Sequence, residues 1–412
     1  MASLETSTDS YALFRQAHFL RYWIGNTSAN FGMAMLTTAI GWDLYDRTHS
    51  ALALGWVGLV QFVPVVLLAL LAGHAVDVFD RRRIVLVSFG LLVLCSAGFA
   101  ANAALSGPLA VYYVLLFLMG TAQAFYSPAR SALLPGIVPM DALPSAINWT
   151  TSGSQLAYMA GPAIAGLLIA QTHAATTVYV VSAVLSFVFV LMLLGVPSPP
   201  PRPRSAPSWG DVIAGLHFVW REPLMLAAIT LDMFAVLLGG AVALLPVFAK
   251  DIFHAGPTGL GWLTAAPYVG SFLLGLVVSH RPPIRRNGPV LLWMVAGFGL
   301  ATIGFALSPN LYWGFVALAA TGAFDMVSML IRQHLVQQMT PDAMRGRVSA
   351  VTGVFIGTSN ELGGFESGLT AHLWGPVRAV LYGGIGTMII VSLVAWRWPV
   401  LRRLGAIENA EA

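Results

Sequence analysis

The stretch GHAVDVFDRRR, residues 73–83, places two aspartates and three consecutive arginines in one short segment of a strongly apolar chain. No Asp, Glu, Lys or Arg occurs between Arg47 and Asp77, and the next run, VLVSFGLLVLCSAGFA at 85–100, is uncharged as well. A helix needs roughly 20 apolar residues to cross a bilayer core of about 30 Å. The charged stretch is therefore predicted to be a turn between two membrane-spanning helices.

The composition of the whole chain predicts a membrane protein. Its 412 residues are 57% hydrophobic and 9% charged, whereas an ordinary soluble domain is about 25% charged. So few polar side chains cannot cover a water-soluble core, and the mean hydropathy of +0.77 agrees with this. We expect an integral membrane protein embedded in the lipid bilayer.

Twelve apolar runs are long enough to be transmembrane helices. They begin near Trp23, Ala51, Ile84, Leu109, Ala142, Ala174, Pro223, Pro257, Gly288, Asn310, Val348 and Ala379. A β-barrel is excluded because its strands would alternate polar and apolar residues, and the run at 85–100 does not. Prolines interrupt several runs, which membrane helices tolerate where they pack on neighbours or line cavities. These prolines are Pro64, Pro128, Pro162, Pro246 and Pro267.

The arginines predict the orientation of the chain. With a cytoplasmic N-terminus, most basic residues fall in cytoplasmic segments, which is the positive-inside pattern. They are Arg15, Arg21, Arg81, Arg82, Arg83, Arg202, Arg204, Arg221, Arg281, Arg285, Arg286, Arg345, Arg347, Arg397, Arg402 and Arg403. The opposite side receives only Arg47, Lys250 and Arg378. Both termini are therefore predicted to be cytoplasmic, and the net charge of +4 needs no nucleic-acid partner.

A proline-rich segment, PSPPPRPRSAPS at 197–208, separates the sixth and seventh spans. Prolines favour an extended spacer. The next stretch is predicted to be an amphipathic helix on the membrane surface, with Ser208 and Asp211 as a capping box; alternatively, it simply begins the seventh span. Its apolar face holds Trp209, Val212, Ile213, Leu216, Val219 and Trp220. The predicted division is a six-helix half at 1–196, a linker at 197–222 and a second half at 223–412.

The two halves resemble each other in sequence. The segment from Gly120 aligns with the segment from Gly322, and the match continues into the next span. The paired residues are Arg130 with Arg332, Leu133 with Leu335, Pro139 with Pro341, Gly161 with Gly363, Gly166 with Gly368 and, after a one-residue slip, Asp141 with Asp342. A six-plus-six parallel repeat is one of the transporter architectures, with substrate binding between the halves.

The charged stretch, which we call the gate loop (residues 73–83), resembles a known family motif. Its members Gly73, Asp77, Asp80, Arg81 and Arg82 are similar to the loop between the second and third helices of the major facilitator superfamily. Asp80 replaces the usual second glycine of that motif. The resemblance implies an all-α membrane protein with twelve transmembrane helices in two six-helix pseudo-repeat halves.

In that family the loop latches the two halves when the cavity faces outward. Gly73 allows close helix approach, Asp77 can face the positive N-terminus of a helix, and arginines can hold acidic or phosphate groups. The resemblance implies that this neighbour is the eleventh helix and that Arg130 is the partner of Asp77. Alternatively, the arginines only set topology. The matching loop of the second half has Ser279 in place of the aspartate, so the latch is predicted to be one-sided.

The segment AGPAIAG at 160–166 contains Gly161, Pro162 and Gly166, which resemble the Gly-Pro motif of exporters in this superfamily. The stretches at 231–249 and 360–368 are similar to the bacterial subfamily that contains the enterobactin exporter. This resemblance implies a monomeric secondary transporter of a bacterial inner membrane. It also implies export of a small organic molecule, either a siderophore or a drug-like amphiphile.

Ionisable groups inside membrane helices are costly and are treated as functional candidates. Those of this chain are Asp232, Asp325, Arg332, Glu361 and Glu366, all in the second half. The first half offers the neutral polar residues Asn26, Asn30 and Gln61. Asp325 and Arg332 are seven residues apart, so we expect no direct pairing between them. Arg332 is expected to pair with a glutamate of the eleventh span instead.

These acidic groups could form a proton relay, with Asp325 or Glu361 as the protonated residue and Asp232 next, or a fixed ion-pair network. Proton antiport follows from the resemblance, although Leu116 occupies the position of the arginine that many proton-coupled members carry. The alternatives are an importer or uniporter of the same fold, and a membrane sensor or scaffold that does not transport. No metal-ligand cluster, phosphate-binding loop or catalytic triad stands out, so we expect no enzyme, no cofactor and no metal.

Overall fold

The computed structural model describes residues 12–197, 209–280, 286–341 and 344–405. All regular secondary structure in these ranges is helical. The α-helices are α1 (Ala17–Thr48), α2 (Ala51–Val78), α3 (Arg81–Ala104), α4 (Leu109–Ile137), α5 (Leu143–Thr172), α6 (Ala175–Leu194), α7 (Trp209–Arg221), α8 (Pro223–Leu238), α9 (Leu245–Val247), α10 (Gly256–Ser279), α11 (Asn287–Ala306), α12 (Leu311–Met339), α13 (Arg345–Trp374), α14 (Pro376–Arg397) and α15 (Pro399–Arg403). Short 3-10 helices cover Ala12–Arg15 and Ala241–Leu244, and a π-helix covers Phe248–Ile252.

The predicted spans correspond to α1 to α6, the segment Pro223–Ile252, and α10 to α14. Ten of these twelve have the length and hydropathy of a membrane span, and α1 and α13 are equally long but more polar. The difference has a chemical cause, because α1 carries Asn26 and Asn30 while α13 carries Glu361 and Glu366. The prediction of an all-helical membrane protein is confirmed.

The seventh span is interrupted, whereas the other spans are continuous helices within the described residues. Helix α8 ends at Leu238, and Gly239 and Gly240 lead into the short turns that finish at Ile252. A Cβ on Gly240 would lie 2.8 Å from the Gly363 carbonyl oxygen. Glycine therefore lets the broken backbone pack directly against α13. Pro246 lies in this broken segment.

The chain forms two compact units. Unit 1 comprises Met1–Ala39 and Val63–Ala206, and unit 2 comprises Ile40–Phe62 and Pro207–Ala412. The break at 206/207 falls inside the predicted linker. The segment Ile40–Phe62, which we call the hairpin tip, consists of the end of α1 and the start of α2 and packs with unit 2.

In unit 1, small residues bring α1 close to α5 and α6. Gly161 lies against α1, where a Cβ would be 3.0 Å from the Ala34 Cβ. The Ser182 hydroxyl of α6 donates to the Gly32 carbonyl at 2.7 Å. Pro162 and Gly166 of the predicted Gly-Pro motif are buried with Gly161 in α5. This packing holds the polar face of α1 in place.

In unit 2, an apolar core surrounds α8 and fixes the polar residues that project from it. Its members on α8 and on α11, α12 and α14 are Leu224, Ala227, Ala228, Leu231, Ala235, Leu291, Leu292, Val295, Ala296, Val327, Ile331, Leu335, Val391 and Val394. Asp232 follows Leu231 on α8, and Arg332 follows Ile331 on α12. The two charged residues are thus carried by helices that pack on each other.

The stretch before the seventh span is a helix of its own, α7, with Glu222 between it and α8. Val219 is buried against α13, while Ile213 and Trp220 are 61% and 69% exposed. Part of the predicted apolar face of α7 therefore packs against the protein, and another part of it is exposed. The spacer 198–208, the side chains of Trp209, Asp211 and Val212, and the residues Arg281, Arg285 and Asp342 lie outside the description.

Candidate functional site

The gate loop is a tight helix–helix connection. Helix α2 ends at Val78 and α3 begins at Arg81. Asp80 is the N-cap of α3, and its carboxylate accepts a hydrogen bond from the Arg82 backbone N–H at 2.9 Å. An aspartate satisfies an otherwise unpaired N–H at a helix start. Asp80, which stands where the family motif usually has glycine, is therefore a helix cap in this chain.

Two arginines of the gate loop, Arg81 and Arg82, donate to backbone carbonyls within unit 1, whereas Arg83 Nε lies 3.7 Å from Asp80 Oδ2. Arg81 Nη1 donates to the Ala132 carbonyl at 3.2 Å, and Arg82 Nε donates to the Leu193 carbonyl at 2.9 Å. Leu193 is near the end of α6, where helix carbonyls lack intrahelical partners. The described partners of these two guanidinium groups are therefore helix carbonyls, and the acidic or phosphate groups that we expected are not among them.

Arg130 has a different partner from the one implied by the family resemblance. Its Nη1 donates to Asn26 Oδ1 and to Asn30 Oδ1, each at 3.1 Å. Both asparagines lie on α1 and are one helical turn apart. The described hydrogen bonds of Arg130 therefore go to these asparagines and not to Asp77 as expected, and Asp77 enters no ion pair among the described residues.

These residues form a polar group within unit 1 that we call the Arg130 site, made of Asn26, Asn30, Tyr126, Arg130 and Ser154. The Asn30 amide donates to Ser154 Oγ at 2.8 Å, so its oxygen is directed at Arg130. The guanidinium lies 5.7 Å from the centre of the Tyr126 ring, a cation–π distance. The site carries one formal positive charge.

Unit 2 contains an ionic group that we call the Arg332 cluster, made of Asp232, Asp325 and Arg332. The guanidinium forms an ion pair with Asp232, and its Nη2 lies 3.6 Å from Asp325 Oδ1. The partner of Arg332 is therefore Asp232 of α8 and not a glutamate of α13. The expectation that Asp325 lies beyond reach is also corrected, because long helical side chains lean back toward the helix N-terminus.

Two carboxylates in the Arg332 cluster share one guanidinium, and they differ in exposure. The Asp232 side chain is 11% exposed and the Asp325 side chain 48%. Both border a cavity of about 10 Å³ together with Ser328, which is about the volume that one water molecule requires. The Ser328 hydroxyl is buried and has no hydrogen-bond partner in the described structure.

The remaining acidic candidates lie apart from this cluster. The Glu361 carboxylate packs beside Gly58 of the hairpin tip, where a Cβ would be 2.5 Å from Glu361 Oε2. Glu366 and Gln61 are half-buried. Within the described residues, none of the three belongs to the ion pairs of Arg332.

The hairpin tip carries contacts that the sequence analysis missed. Lys250 Nζ pairs with Asp46 Oδ1 at 2.5 Å and lies 5.9 Å from the Trp42 ring centre. The Tyr45 hydroxyl donates to the Asp251 carboxylate. Lys250 is the only lysine in the sequence. This rarity is the feature that could have marked it as a residue with a specific partner.

The chain matches known transporters over almost its whole length. Residues 8–410 match the model of a family described as transmembrane secretion effectors. The chain belongs to this family of transmembrane secretion effectors. It is a transporter of the major facilitator superfamily and not an enzyme.

Two relatives of this transporter illustrate the family. The chain is 28% identical to the multidrug efflux pump Tap of Mycolicibacterium fortuitum, over 92% of this chain and 94% of that protein. It is 29% identical to the enterobactin exporter EntS of Shigella boydii, over 90% of this chain and 89% of that protein. The family resemblance inferred from the sequence is confirmed.

Solved structures of other transporters share the fold. A peptide transporter POT aligns with a TM-score of 0.74 at 12% identity, over 97% of this chain and 100% of that chain. The nucleoside transporter NupG aligns with a TM-score of 0.72 at 14% identity, over 92% and 98%. At this level of identity the likeness shows the major facilitator fold.

Proposed function

We propose that this transporter exports a small organic molecule across a bacterial inner membrane by alternating access, and that inward proton movement drives the export. The printed names of Tap and EntS describe an efflux pump and an exporter, and the buried Gly-Pro motif of α5 favours the same direction. The proposed cargo is a siderophore or a drug-like amphiphile.

The Arg332 cluster carries the proposal of proton coupling. One guanidinium faces two carboxylates, so the cluster has a net charge of −1 when both carboxylates are ionised. An unbalanced charge among membrane helices is costly, and one proton removes it. Asp232 acts as the buried counter-ion of Arg332, and Asp325, which is more exposed, exchanges the proton.

The proposed topology has both termini in the cytoplasm, and a monomer with the halves 1–196 and 223–412. The positive-inside pattern supports the orientation. The equal spacing of repeat residues supports the halves, since Arg130 and Arg332 are separated by the same number of residues as Gly161 and Gly363.

The test is transport in inverted membrane vesicles with an imposed proton gradient. The panel contains catecholate and hydroxamate siderophores and cationic dyes. We expect gradient-driven accumulation by the natural chain, and we expect Asp325→Asn to lose the response to the gradient while still exchanging labelled cargo. Asp141→Asn removes an exposed carboxylate before α5 and serves as the matched control.

Three other results would contradict parts of this proposal. Accumulation that persists after the gradient collapses would exclude proton coupling. Cargo movement only in the opposite direction would identify an importer. Absence of any gradient-driven or facilitated movement would favour a sensor or scaffold.

A further inference from the structure

The Arg130 site holds a positive charge that proton coupling at the Arg332 cluster does not use. Arg130 is only partly exposed, and no carboxylate of the described residues pairs with it. Arg130 lies about two helical turns before Ile137, the last residue of α4. Ionisable groups at such depth normally face a partner, a cavity or a substrate path.

Three of the five N–H donors of this guanidinium are available. An arginine has five N–H donors, and both described hydrogen bonds of Arg130 come from Nη1. Nε and Nη2 have no acceptor in the described chain. Neither atom is among the fully buried polar atoms that lack a partner, so neither is completely enclosed by the described protein.

The neighbours of Arg130 hold this donor pair in one orientation. Asn26 and Asn30 are 3% and 4% exposed, so their amide oxygens are fixed acceptors. Ser154 holds the Asn30 amide and itself donates to the Thr150 carbonyl at 2.9 Å. A guanidinium that is anchored through one nitrogen presents its other N–H groups as a planar fork, which matches the geometry of a carboxylate.

The repeat shows what the Arg130 site lacks. Arg332 stands at the equivalent position of unit 2 and is paired with Asp232, whose counterpart in unit 1 by the same spacing is Asn30. Amide oxygens anchor a guanidinium but do not neutralise it. The missing component of the Arg130 site is therefore a negative charge.

We propose that the Arg130 site binds the carboxylate of the cargo, and hence that this transporter moves organic anions. Asn26 and Asn30 position Arg130, and the Nε and Nη2 edge of Arg130 contacts the carboxylate. The Tyr126 ring flanks the guanidinium. This assignment rests on the proposed export function and names its substrate class.

The first experiment measures binding by the purified full-length protein in detergent. Thermal unfolding is followed with matched pairs of acid and amide, namely salicylate with salicylamide and 2-naphthoate with 2-naphthamide, and with sodium phosphate. We expect each acid to bind about tenfold more tightly than its amide, as a charge-assisted bidentate contact provides. Phosphate should stabilise the protein much less than the aromatic acids.

Variants of Arg130 test whether the preference for acid over amide arises at the Arg130 site. Arg130→Gln should reduce the preference for acid over amide to about onefold, because the charge is removed. Arg130→Lys keeps the charge but loses the fork, so it should retain part of the preference, and it replaces the first variant if that variant does not fold. Arg221→Gln removes an exposed arginine of α7 and should leave the preference unchanged.

Equal binding of acids and amides, or a preference that survives in both Arg130 variants, would overturn the assignment. Phosphate binding as strong as that of the acids would overturn it as well, since the site would then take an inorganic anion. The vesicle assay separates this proposal from the export proposal. Export of neutral and cationic compounds alone would overturn only the anion assignment, whereas acid binding with no transport would overturn only the export proposal.

Discussion

Equivalent arginines in the two units have opposite electrostatic surroundings. Arg130 and Arg332 are 332 − 130 = 202 residues apart, and Asn30 and Asp232 are 232 − 30 = 202 residues apart. In unit 1 the guanidinium meets two amide oxygens, and in unit 2 it meets two carboxylates. The local formal charge is +1 in the first case and −1 in the second.

This difference shows how a duplicated site can acquire two tasks. In unit 2 the carboxylate of Asp232 on α8 neutralises the arginine within the protein. The second carboxylate, Asp325, is then free to bind a proton. An amide at the position equivalent to Asp232 leaves the positive charge available to a ligand. We therefore assign recognition of the cargo to the Arg130 site and energy coupling to the Arg332 cluster.

Helix α1 and its counterpart in the repeat, α8, differ in their backbones as well. In α1, the hydroxyls of Thr37 and Thr38 bond back to carbonyls of the same helix, which continues to Thr48. The equivalent positions in unit 2 are Gly239 and Gly240, where α8 has ended. Broken helices are common at the ion sites of transporters. The break and the charged cluster occur in the same unit.

The largest expected effect is on folding stability at the Arg332 cluster. Arg332→Ala leaves the buried Asp232 carboxylate without a partner, and loss of one member of such a pair costs about 3–5 kcal/mol. Arg130→Ala should cost about 1–2 kcal/mol, because its partners are neutral amides. Unfolding by SDS in mixed micelles measures both free energies of unfolding.

The double variant Asp232→Ala with Arg332→Ala is the control for this comparison. It removes both members of the buried pair, leaves only the more exposed Asp325, and should recover part of the stability that the single variant loses. Equal losses for Arg130→Ala and Arg332→Ala would show that the two sites are not energetically different, and the comparison would fail.

The sequence predicted the architecture because helix-length apolar runs are a local property. The predicted starts at Ala51, Leu109 and Pro223 coincide with the observed starts of α2, α4 and α8. The first span begins at Ala17, six residues before the predicted start at Trp23, because the polar residues of early α1 conceal its beginning. Polar residues inside a bundle lower the hydropathy signal of the helices that carry function.

The pairing of charged residues was not predictable in the same way. Every member of the Arg332 cluster was a candidate, yet the sequence pointed to a glutamate as the partner of Arg332. Partner choice depends on the rotation of α8 against α12, which the apolar core around Leu231 and Ile331 determines. Likewise, the family resemblance pairs Arg130 with Asp77, and only the packing of α1 brings Asn26 and Asn30 to it.

A smaller effect is expected when unit 1 is made to resemble unit 2. Asn30→Asp places a carboxylate against Arg130, which supplies the missing negative charge within the protein. We expect affinity for salicylate to fall about tenfold, in line with the loss of a charge-assisted contact, while stability is maintained. Thermal unfolding with salicylate and salicylamide measures the change. Ser106→Asp, in the exposed connection between α3 and α4, is the control, and unchanged salicylate affinity in Asn30→Asp would contradict the difference between the sites.

The smallest effect on the free energy of unfolding is expected at the hairpin tip. A substitution there tests whether an ion pair must be buried to contribute strongly to stability. Lys250 and Asp46 form an ion pair in unit 2, but their side chains are 24% and 52% exposed. Exposed pairs are screened by water, and most contribute less than about 1 kcal/mol. Lys250→Ala should therefore change the free energy of SDS-induced unfolding far less than Arg332→Ala does, and raised salt should reduce the difference further. Lys250→Arg, which preserves the charge, is the matched control. A loss at Lys250 as large as that at Arg332 would mean that the hairpin tip, and not the buried cluster, is the main electrostatic support of unit 2.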